Sequence, residues 1–144
     1  MKRFFVDTPV LLYAIGGPHE LRDPCRQIVA AAARGRVELH ASIEAIQEVL
    51  FHRLRRTNRR DAVAAARDYL DLVVCRPLDA AVMRRSFLLT LAGRIRGRDA
   101  LHAATALAGG FSAIVTTDSD FSDTSGLSVL TPWALAELLE AGSP

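Results

Sequence analysis

The amino-acid sequence predicts one α/β domain covering residues 1–144, a three-layer α/β/α arrangement in which helices flank a short central parallel β-sheet. Short apolar segments alternate along the chain with longer segments of helical periodicity, which is typical of a parallel sheet covered on both faces. A chain of 144 residues is long enough to bury a single core, and no repeat, linker or low-complexity stretch suggests a second domain.

The first strand and helix follow from the residues near the N-terminus. "RFFV" (3–6) is a short apolar strand. In "TPVLLYAI" (8–15), Thr8 is the expected N-cap and Pro9 takes the first helical position, where its missing N–H costs nothing. The two glycines that follow end this helix.

Start and stop signals also set the next elements. A second helix is expected from near Pro24 to Gly35, and "VELHAS" (37–42) predicts a strand. The last residue of this strand, Ser42, is a suitable N-cap for a third helix. That helix carries an apolar stripe at three- and four-residue steps, formed by Ile43, Ile46, Leu50 and Leu54.

The second half of the chain continues the alternation. Strands are expected in "LVVCRP" (72–77), "SAIVTTD" (112–118) and "LSVLTP" (127–132). Helices are expected at about 58–72 and in "LDAAVMRRSFLLTLAGR" (78–94), "RDALHAATALAGG" (98–110) and "PWALAELLEA" (132–141). Proline and glycine residues separate most of these segments.

The composition excludes several classes of function. Lys2 is the only lysine among 18 basic residues. We therefore expect neither a phosphate-binding loop of the GxxxxGK[ST] type nor a lysine that forms a Schiff base. Cys25 and Cys75 lie far apart without metal-type spacing, which favours free thiols. Asp7 and Pro9 interrupt the apolar N-terminus, and no segment is apolar for long enough to span a membrane. We therefore expect a cytoplasmic protein that does not contact a membrane.

Three acidic residues lie where a ligand site of such a fold is expected. In parallel α/β sheets, ligands bind at the carboxyl ends of the strands. Asp7 ends the first strand and Asp118 ends "SAIVTT", so these two acids meet if their strands are neighbours. Asp99 begins the helix before that strand, and it needs a connection that brings the start of the helix to the same edge.

Glu48 is the fourth acidic candidate. It lies off the apolar stripe of the third helix, which predicts a position outside the core, and Glu44 lies one turn before it. Like charges at this spacing cost about 0.2–0.5 kcal/mol, which a bound cation relieves. Taken singly, the acids also have ordinary structural explanations: a helix N-cap for Asp99, turn positions for Asp118 and Asp120, and a solvated helix face for Glu48.

Four segments resemble, in order and spacing, the acidic motifs of PIN-domain nucleases: "FFVDTPVLLYA", "SIEAIQEVL", "GRDALHAATAL" and "AIVTTDSDF". The chain length is similar to that of the VapC toxins of VapBC toxin–antitoxin modules. The resemblance implies a PIN-like fold and a metal site formed by four acids, with two hydroxyl groups nearby: Asp7, Glu48, Asp99 and Asp118, with Thr8 and Thr116. Pro9 departs from the polar residue usual in the family, and Asp120 is close enough to Asp118 in the chain to share its role.

The family resemblance implies a Mg²⁺-dependent endoribonuclease, with Mn²⁺ as a second oxygen-seeking ion. Carboxylates alone repel a phosphodiester, whereas a metal ion activates water and offsets the charge on the phosphate. We expect Asp7 and Asp99 to ligate the ion most directly, and Glu48 and Asp118 to orient water or complete a second site. Two alternatives remain open: a phosphotransfer domain, against which the missing lysine argues, and a non-catalytic module that binds a protein partner.

The same resemblance implies an RNA substrate, a cognate antitoxin and a homodimer. Leu, Ile and Phe are abundant in "LLYAI" and "AIQEVLFHRL", and we expect the antitoxin groove among these early helices. The segment "HRLRRTNRR" (52–60) has five arginines and no acid. Its side chains are either solvated or in contact with RNA phosphate, and the candidates are Arg55, Arg56, Arg59 and Arg60. His102 is expected to pack or to form hydrogen bonds rather than to touch the substrate or support a carboxylate.

Overall fold

The computed structural model describes residues 1–142 of the 144-residue chain. Its strands are β1 (Lys2–Phe5), β2 (Val37–Ser42), β3 (Val74–Arg76), β4 (Ala113–Val115) and β5 (Ser128–Leu130). Its α-helices are α1 (Thr8–Ile15), α2 (Arg22–Ala33), α3 (Ile43–Arg56), α4 (Arg59–Leu72), α5 (Ala80–Ala92), α6 (Gly97–Ala108) and α7 (Pro132–Ala141). A 3₁₀ turn that the sequence did not predict, Ser119–Asp123, follows β4. None of the helices within residues 1–142 is both long and apolar enough to cross a membrane.

The strands pair in parallel throughout the sheet. β2 lies between β1 and β3, with Phe5 opposite His40. β4 pairs with β5, and a bridge between Val6 and Val115 joins the two groups of strands. The strand order is therefore β3-β2-β1-β4-β5, and the carboxyl ends of β1, β2 and β4 face the same edge.

Helices cover both faces of this sheet, which confirms the predicted three-layer fold. Successive side chains of a strand point to opposite faces, so Phe5 and Val6 enter different cores. The larger core lies between the sheet and α1, α2, α3, α4 and α7, and the smaller core lies between the sheet and α6. α5 packs on α6.

Two helix starts differ from the sequence prediction. The N-cap of α1 is Asp7 rather than Thr8, because the Asp7 carboxylate accepts the Thr8 N–H. α2 begins at Arg22, two residues earlier than predicted, and its proline falls in the first turn, where no N–H is needed. Ser42 caps α3 as predicted, since its hydroxyl oxygen accepts the Ala45 N–H.

The predicted apolar stripe of α3 is only partly buried. Ile46 is buried and Leu50 packs against the core, whereas Ile43 and Leu54 are exposed. Glu48 also lies on the buried side and is 8% exposed, so the expectation that it lies outside the core is wrong. α3 packs against α4 and α1, and this tertiary packing decides which side chains are covered.

Candidate active site

The carboxyl ends of β1 and β4 bring two of the predicted acids together. Asp7 follows β1, and Asp118 follows β4 after two threonines. The Asp7 N–H donates to the Val115 carbonyl over 3.0 Å, which continues the pairing of the two strands as far as the acid. The prediction that these strands are neighbours is therefore confirmed.

The Asp7 carboxylate is held from two sides. Its Oδ1 accepts the Thr8 N–H at 2.9 Å, and its Oδ2 accepts the Thr116 hydroxyl at 2.8 Å. The Thr116 oxygen in turn accepts the Asp118 N–H at 3.1 Å, so one buried hydroxyl group connects the ends of the two strands. Burial raises the pKa of Asp7, although His102 and the two hydrogen bonds act in the opposite direction.

Asp99 reaches the same edge from the first turn of α6. The N-cap of this helix is Arg96, so Asp99 does not serve as the cap that its sequence position also allowed. Burial, followed by the charges of Asp7 and Asp118, raises the pKa of Asp99 to about 6. The nearby negative charges therefore oppose the ionisation of Asp99, and a bound cation would relieve this repulsion.

Glu48 reaches the site from the buried face of α3. His102 Nε2 lies 2.8 Å from Glu48 Oε1 and 3.3 Å from the Thr8 hydroxyl oxygen. Burial alone raises the pKa of Glu48, but His102, Thr8 and Arg98 together lower it below its ordinary value. Glu48 is therefore a buried carboxylate that the protein itself keeps ionised.

Asp120 takes a different position from the other acids. It is exposed in the 3₁₀ turn, and its N–H donates to Asp118 Oδ1 at 2.9 Å. The group that supports Asp118 is thus the Asp120 backbone rather than its carboxylate. This geometry favours Asp118 over Asp120 as the acid at the end of β4.

The donor chemistry of this edge fits a hard divalent cation. Carboxylates are the ligands that Mg²⁺ and Mn²⁺ prefer, and within residues 1–142 Asp7, Asp99 and Asp118 form no salt bridge with a basic side chain. In the same part of the chain, no three Asp, Glu, His or Cys side chains close around one point as they stand. Because Mg²⁺ usually keeps several waters, one or two direct carboxylates suffice to hold it.

The sequence did not predict that His102 and Arg98 lie beside Glu48. Ser42 Oγ lies 2.6 Å from His102 Nδ1, so His102 connects Ser42 to Glu48. His102 forms hydrogen bonds as expected, but one of them supports the Glu48 carboxylate, a role that was not favoured from the sequence. The sequence signal for this role was the position of His102 one turn after Asp99 on α6. Arg98, which precedes Asp99 in the chain, lies close enough to Glu48 to lower its pKa.

The predicted RNA-contact arginines lie at the connection between α3 and α4. Arg55 and Arg56 are in the last turn of α3, Arg59 and Arg60 are in the first turn of α4, and all four are exposed. The Arg55 guanidinium lies 5.7 Å from the centre of the Phe51 ring. All four guanidinium groups are accessible from solvent, as a phosphate contact requires.

Residues 4–127 match the PIN domain family. The chain belongs to the PIN-domain family. Ribonuclease VapC7 of Mycobacterium tuberculosis (strain ATCC 25618 / H37Rv) is 38% identical to it over 123 residues, which cover 83% of this chain and 85% of VapC7. The resemblance to VapC-type PIN domains, which rested on the four acidic motifs, is therefore confirmed.

Solved structures share the fold of this PIN domain. VapBC2 from Rickettsia felis, which was solved bound to a DNA fragment from its promoter, has a TM-score of 0.69 and 16% identity and covers 90% of this chain and 98% of that chain. VapC20 from Mycobacterium tuberculosis, described as a Sarcin-Ricin loop cleaving toxin, has a TM-score of 0.68 and 22% identity and covers 83% of this chain and 92% of that chain. At these identities the likeness shows the fold alone.

The raised pKa of Asp99 predicts how the metal-free PIN domain responds to pH. The folded state holds the Asp99 proton more tightly than the unfolded state does, so stability falls as the pH rises from the ordinary pKa of 3.8 through about 6. Asp99→Asn should remove this part of the pH dependence. Above about pH 6 it should raise the melting temperature by roughly 2–4 °C for each ~1 kcal/mol of repulsion removed. Thermal melts in EDTA across this pH range measure the effect.

Asp71→Asn is the matched control, because Asp71 is an exposed aspartate on α4. Its melting profile should follow that of the parent protein at every pH. Added Mg²⁺ should stabilise the parent protein above about pH 6 more than it stabilises Asp99→Asn. An Asp99→Asn profile identical to the parent profile would contradict the assignment.

Proposed function

We propose that this PIN domain is a divalent-metal-dependent endoribonuclease that acts in the cytoplasm as the toxin of a toxin–antitoxin module. The observation that carries the proposal is the group of carboxylates at the carboxyl ends of β1 and β4, where the charges of Asp7 and Asp118 act on Asp99 and a bound cation would relieve the repulsion. The 38% identity to a ribonuclease, VapC7, supports RNA as the substrate. Complexes of the VapBC type among proteins of the same fold support the toxin–antitoxin module.

Three acids hold the ion in this proposal. When bound, Mg²⁺ or Mn²⁺ lowers the pKa of a water molecule and offsets charge on the scissile phosphate. Asp99 is the central ligand, because the negative charges of both Asp7 and Asp118 act on it. The Thr8 N–H and the Thr116 hydroxyl orient the Asp7 carboxylate toward the ion, because each donates one hydrogen bond to one of its oxygens. Each oxygen keeps a further lone pair for the ion.

Glu48 has a separate role as a proton acceptor. Its pKa is lowered despite burial, so it is ionised at neutral pH. His102 occupies Oε1, and the carboxylate keeps acceptor capacity for the proton of an attacking water. The three aspartates therefore hold the ion, and Glu48 is not coordinated to it and can act as the base.

The alternative functions have less support. A phosphotransfer domain needs an aspartate that the phosphate donor can approach, whereas Asp7 is 3% exposed and both of its oxygens accept hydrogen bonds. A module that only binds a partner has no need of a partly buried carboxyl group such as Asp99, whose ionisation two neighbouring carboxylates oppose.

Asp7→Asn and Asp99→Asn test the metal-site assignment. Each substitution removes one negative charge, and asparagine at position 7 still caps α1. Metal-dependent cleavage of mixed RNA should fall by about 100-fold or more, because even groups that only support metal ligands change activity about 10- to 100-fold. Cleavage assays with Mg²⁺ or Mn²⁺, each against EDTA, measure the loss. Asp71→Asn should cleave at the parent rate, and full metal-dependent cleavage by both site variants would refute the assignment.

Arginine side chains near the acids provide phosphate contacts in the proposed complex with RNA. Arg98 is exposed beside Glu48 at the start of α6. We assign Arg98 to the phosphate next to the scissile bond, since guanidinium groups pair with phosphate in a bidentate way. The exposed arginines of the α3–α4 connection are assigned to the flanking RNA: Arg55, Arg56, Arg59 and Arg60.

The salt dependence of RNA binding tests these contacts. For single-stranded RNA, each lost phosphate contact should flatten the plot of log binding constant against log salt concentration by about 0.7. Binding is measured by fluorescence anisotropy in EDTA, so that cleavage does not interfere. Arg98→Ala should flatten the slope and slow cleavage, whereas Arg60→Ala should flatten the slope only. Arg67→Ala, which neutralises an exposed arginine further along α4, is the control. If Arg98→Ala and Arg60→Ala gave the same slope as Arg67→Ala, Arg98 and Arg60 would be solvated side chains that do not contact RNA phosphate.

An apolar pocket offers a site for the antitoxin. It has a volume of about 480 Å³ and is lined by residues of α1, α2 and α4, among them Ala14, Val29 and Tyr69. This pocket shares α1 with the groove expected from the sequence, but its other walls are α2 and α4 rather than α3. We propose that an apolar antitoxin segment fills this pocket while an antitoxin arginine pairs with Asp7 or Asp99 and excludes the metal.

A second apolar surface lies on α5. Leu91 is 85% exposed, and Phe87 and Leu88 are exposed on neighbouring positions of the same helix. Large exposed apolar groups gathered in this way mark interaction surfaces. We assign this face to the homodimer, because an isologous contact covers the same face of both copies at once.

Two substitutions separate the two surfaces. Ala65→Arg fills the pocket and should prevent co-purification with the antitoxin encoded by the neighbouring gene, while leaving the dimer intact. Leu91→Glu places a charge on α5 and should convert the dimer into a monomer, as measured by light scattering, while leaving antitoxin binding intact. Leu138→Glu on α7 is the control for both, since this side chain is 55% exposed outside the two surfaces. If Leu91→Glu prevented co-purification with the antitoxin and Ala65→Arg did not, the antitoxin would bind at α5 rather than in the pocket, and the assignments of the two surfaces would be reversed.

A further inference from the structure

His102 is buried inside the candidate active site and makes polar contacts with three other elements. Its Nδ1 lies 2.6 Å from Ser42 Oγ, and its Nε2 lies 2.8 Å from Glu48 Oε1 and 3.3 Å from Thr8 Oγ1. The rest of the buried face of α6 consists of alanine and threonine. An imidazole at this position therefore joins α6 to the end of β2, the start of α1 and the middle of α3.

Both ring nitrogens of His102 have defined partners. The Glu48 carboxylate is ionised and can only accept, so Nε2 carries a hydrogen atom and donates it to Oε1. Nδ1 faces the Ser42 hydroxyl, which can donate to a neutral ring or accept from a protonated one. These two contacts fix the plane of the ring.

Glu48 needs such a restraint. Its side chain has several rotatable bonds, and ordering it costs conformational entropy that hydrogen bonds must offset. Arg98 attracts the same carboxylate from an exposed position. Without the donor on His102, Glu48 is free to turn toward Arg98 and away from Asp7.

We propose that His102 is a positioning residue that holds the Glu48 carboxylate beside Asp7 and Asp99 through the hydrogen bond from Nε2 to Oε1, while Ser42 holds His102. The inference rests on the proposed nuclease function, since it gives His102 a part in the site of that reaction. His102 acts through Glu48 and not on the substrate, so its loss affects turnover more than RNA binding.

His40 offers a comparison within the same protein. It is also buried, but its Nε2 pairs with Glu38, which is not one of the site acids, and its ring packs against Phe111. Its Nδ1 has no hydrogen-bond partner in the described part of the chain. His40→Leu therefore measures the cost of replacing a buried histidine without disturbing the acids.

Three single variants and one double variant test the proposal: His102→Leu, His102→Gln, Glu48→Gln and Glu48→Gln/His102→Leu. The affinity of the RNA-free protein for Mn²⁺ is measured by electron paramagnetic resonance, and kcat and KM are measured for RNA cleavage. We expect His102→Leu to weaken Mn²⁺ binding about tenfold, because a displaced Glu48 no longer adds its negative charge beside Asp7 although it is not itself a ligand. We expect kcat to fall about 10- to 100-fold, with KM within about twofold. His102→Gln, whose amide N–H can donate to Oε1, should restore most of both quantities. His40→Leu should bind Mn²⁺ and cleave RNA like the parent protein.

The double variant separates positioning from a purely structural role. If His102 acts through Glu48, then His102→Leu has no further effect once Glu48 is replaced, and the double variant matches Glu48→Gln. Additive losses would overturn the proposal, and so would a His102→Gln protein that is as impaired as Glu48→Gln. Should His102→Leu fail to melt cooperatively, the comparison of His102→Gln with Glu48→Gln decides the question in the same way.

The parent protein distinguishes failure of this inference from failure of the proposed function. A parent that binds no Mn²⁺ and cleaves no RNA would overturn the nuclease proposal and this inference with it. A parent that binds Mn²⁺ and cleaves RNA, together with a folded His102→Leu that does both equally well, would overturn the positioning role alone.

Discussion

Repulsion between carboxylates at one edge of the sheet is the constraint on which the rest of this PIN domain depends. The pairing of β1 with β4 brings Asp7 to this edge, and the first turn of α6 brings Asp99 close to Asp118. Burial and like charge both oppose ionisation at such a place. Hydroxyl and backbone N–H groups compensate in part, and Thr116 serves two strand ends at once because it donates to Asp7 and accepts from Asp118.

The surroundings of the site acids shift their pKa values in opposite directions. Glu48 receives hydrogen bonds from buried partners and has a lowered pKa, so the protein itself supports this charge. Asp7 and Asp99 have raised pKa values, so part of their charge is left to be balanced from outside the chain. His102 donates a hydrogen bond to Glu48, whereas burial is the largest influence on Asp7 and Asp99, and the charges of Asp7 and Asp118 add to it at Asp99. In the proposed function, this arrangement would combine a base at Glu48 with a place that attracts a cation.

Local features of the sequence were sufficient to predict the strands, the helices and the acids that follow β1 and β4. The meeting of these acids could be predicted as well, because ligand sites of parallel sheets lie at the carboxyl ends of the strands. The burial of Glu48 could not, since hydrophobicity favoured the face with Ile43 and Leu54 whereas packing against α1 and α4 covers another. The contact between Glu48 and His102 joins residues 54 positions apart, and the periodicity of two helices does not encode their relative rotation.

The joint between the two groups of strands is the narrowest part of the sheet. β1 and β4 meet at the bridge between Val6 and Val115 and at the Asp7 N–H, next to the acids. In the proposed metal site, a cation held by Asp7 and Asp118 would therefore connect the two groups of strands across this joint. Loss of the ion would remove that connection along with the charge that balances the acids. The supply of divalent ions would then act on the stability of the folded protein as well as on its chemistry.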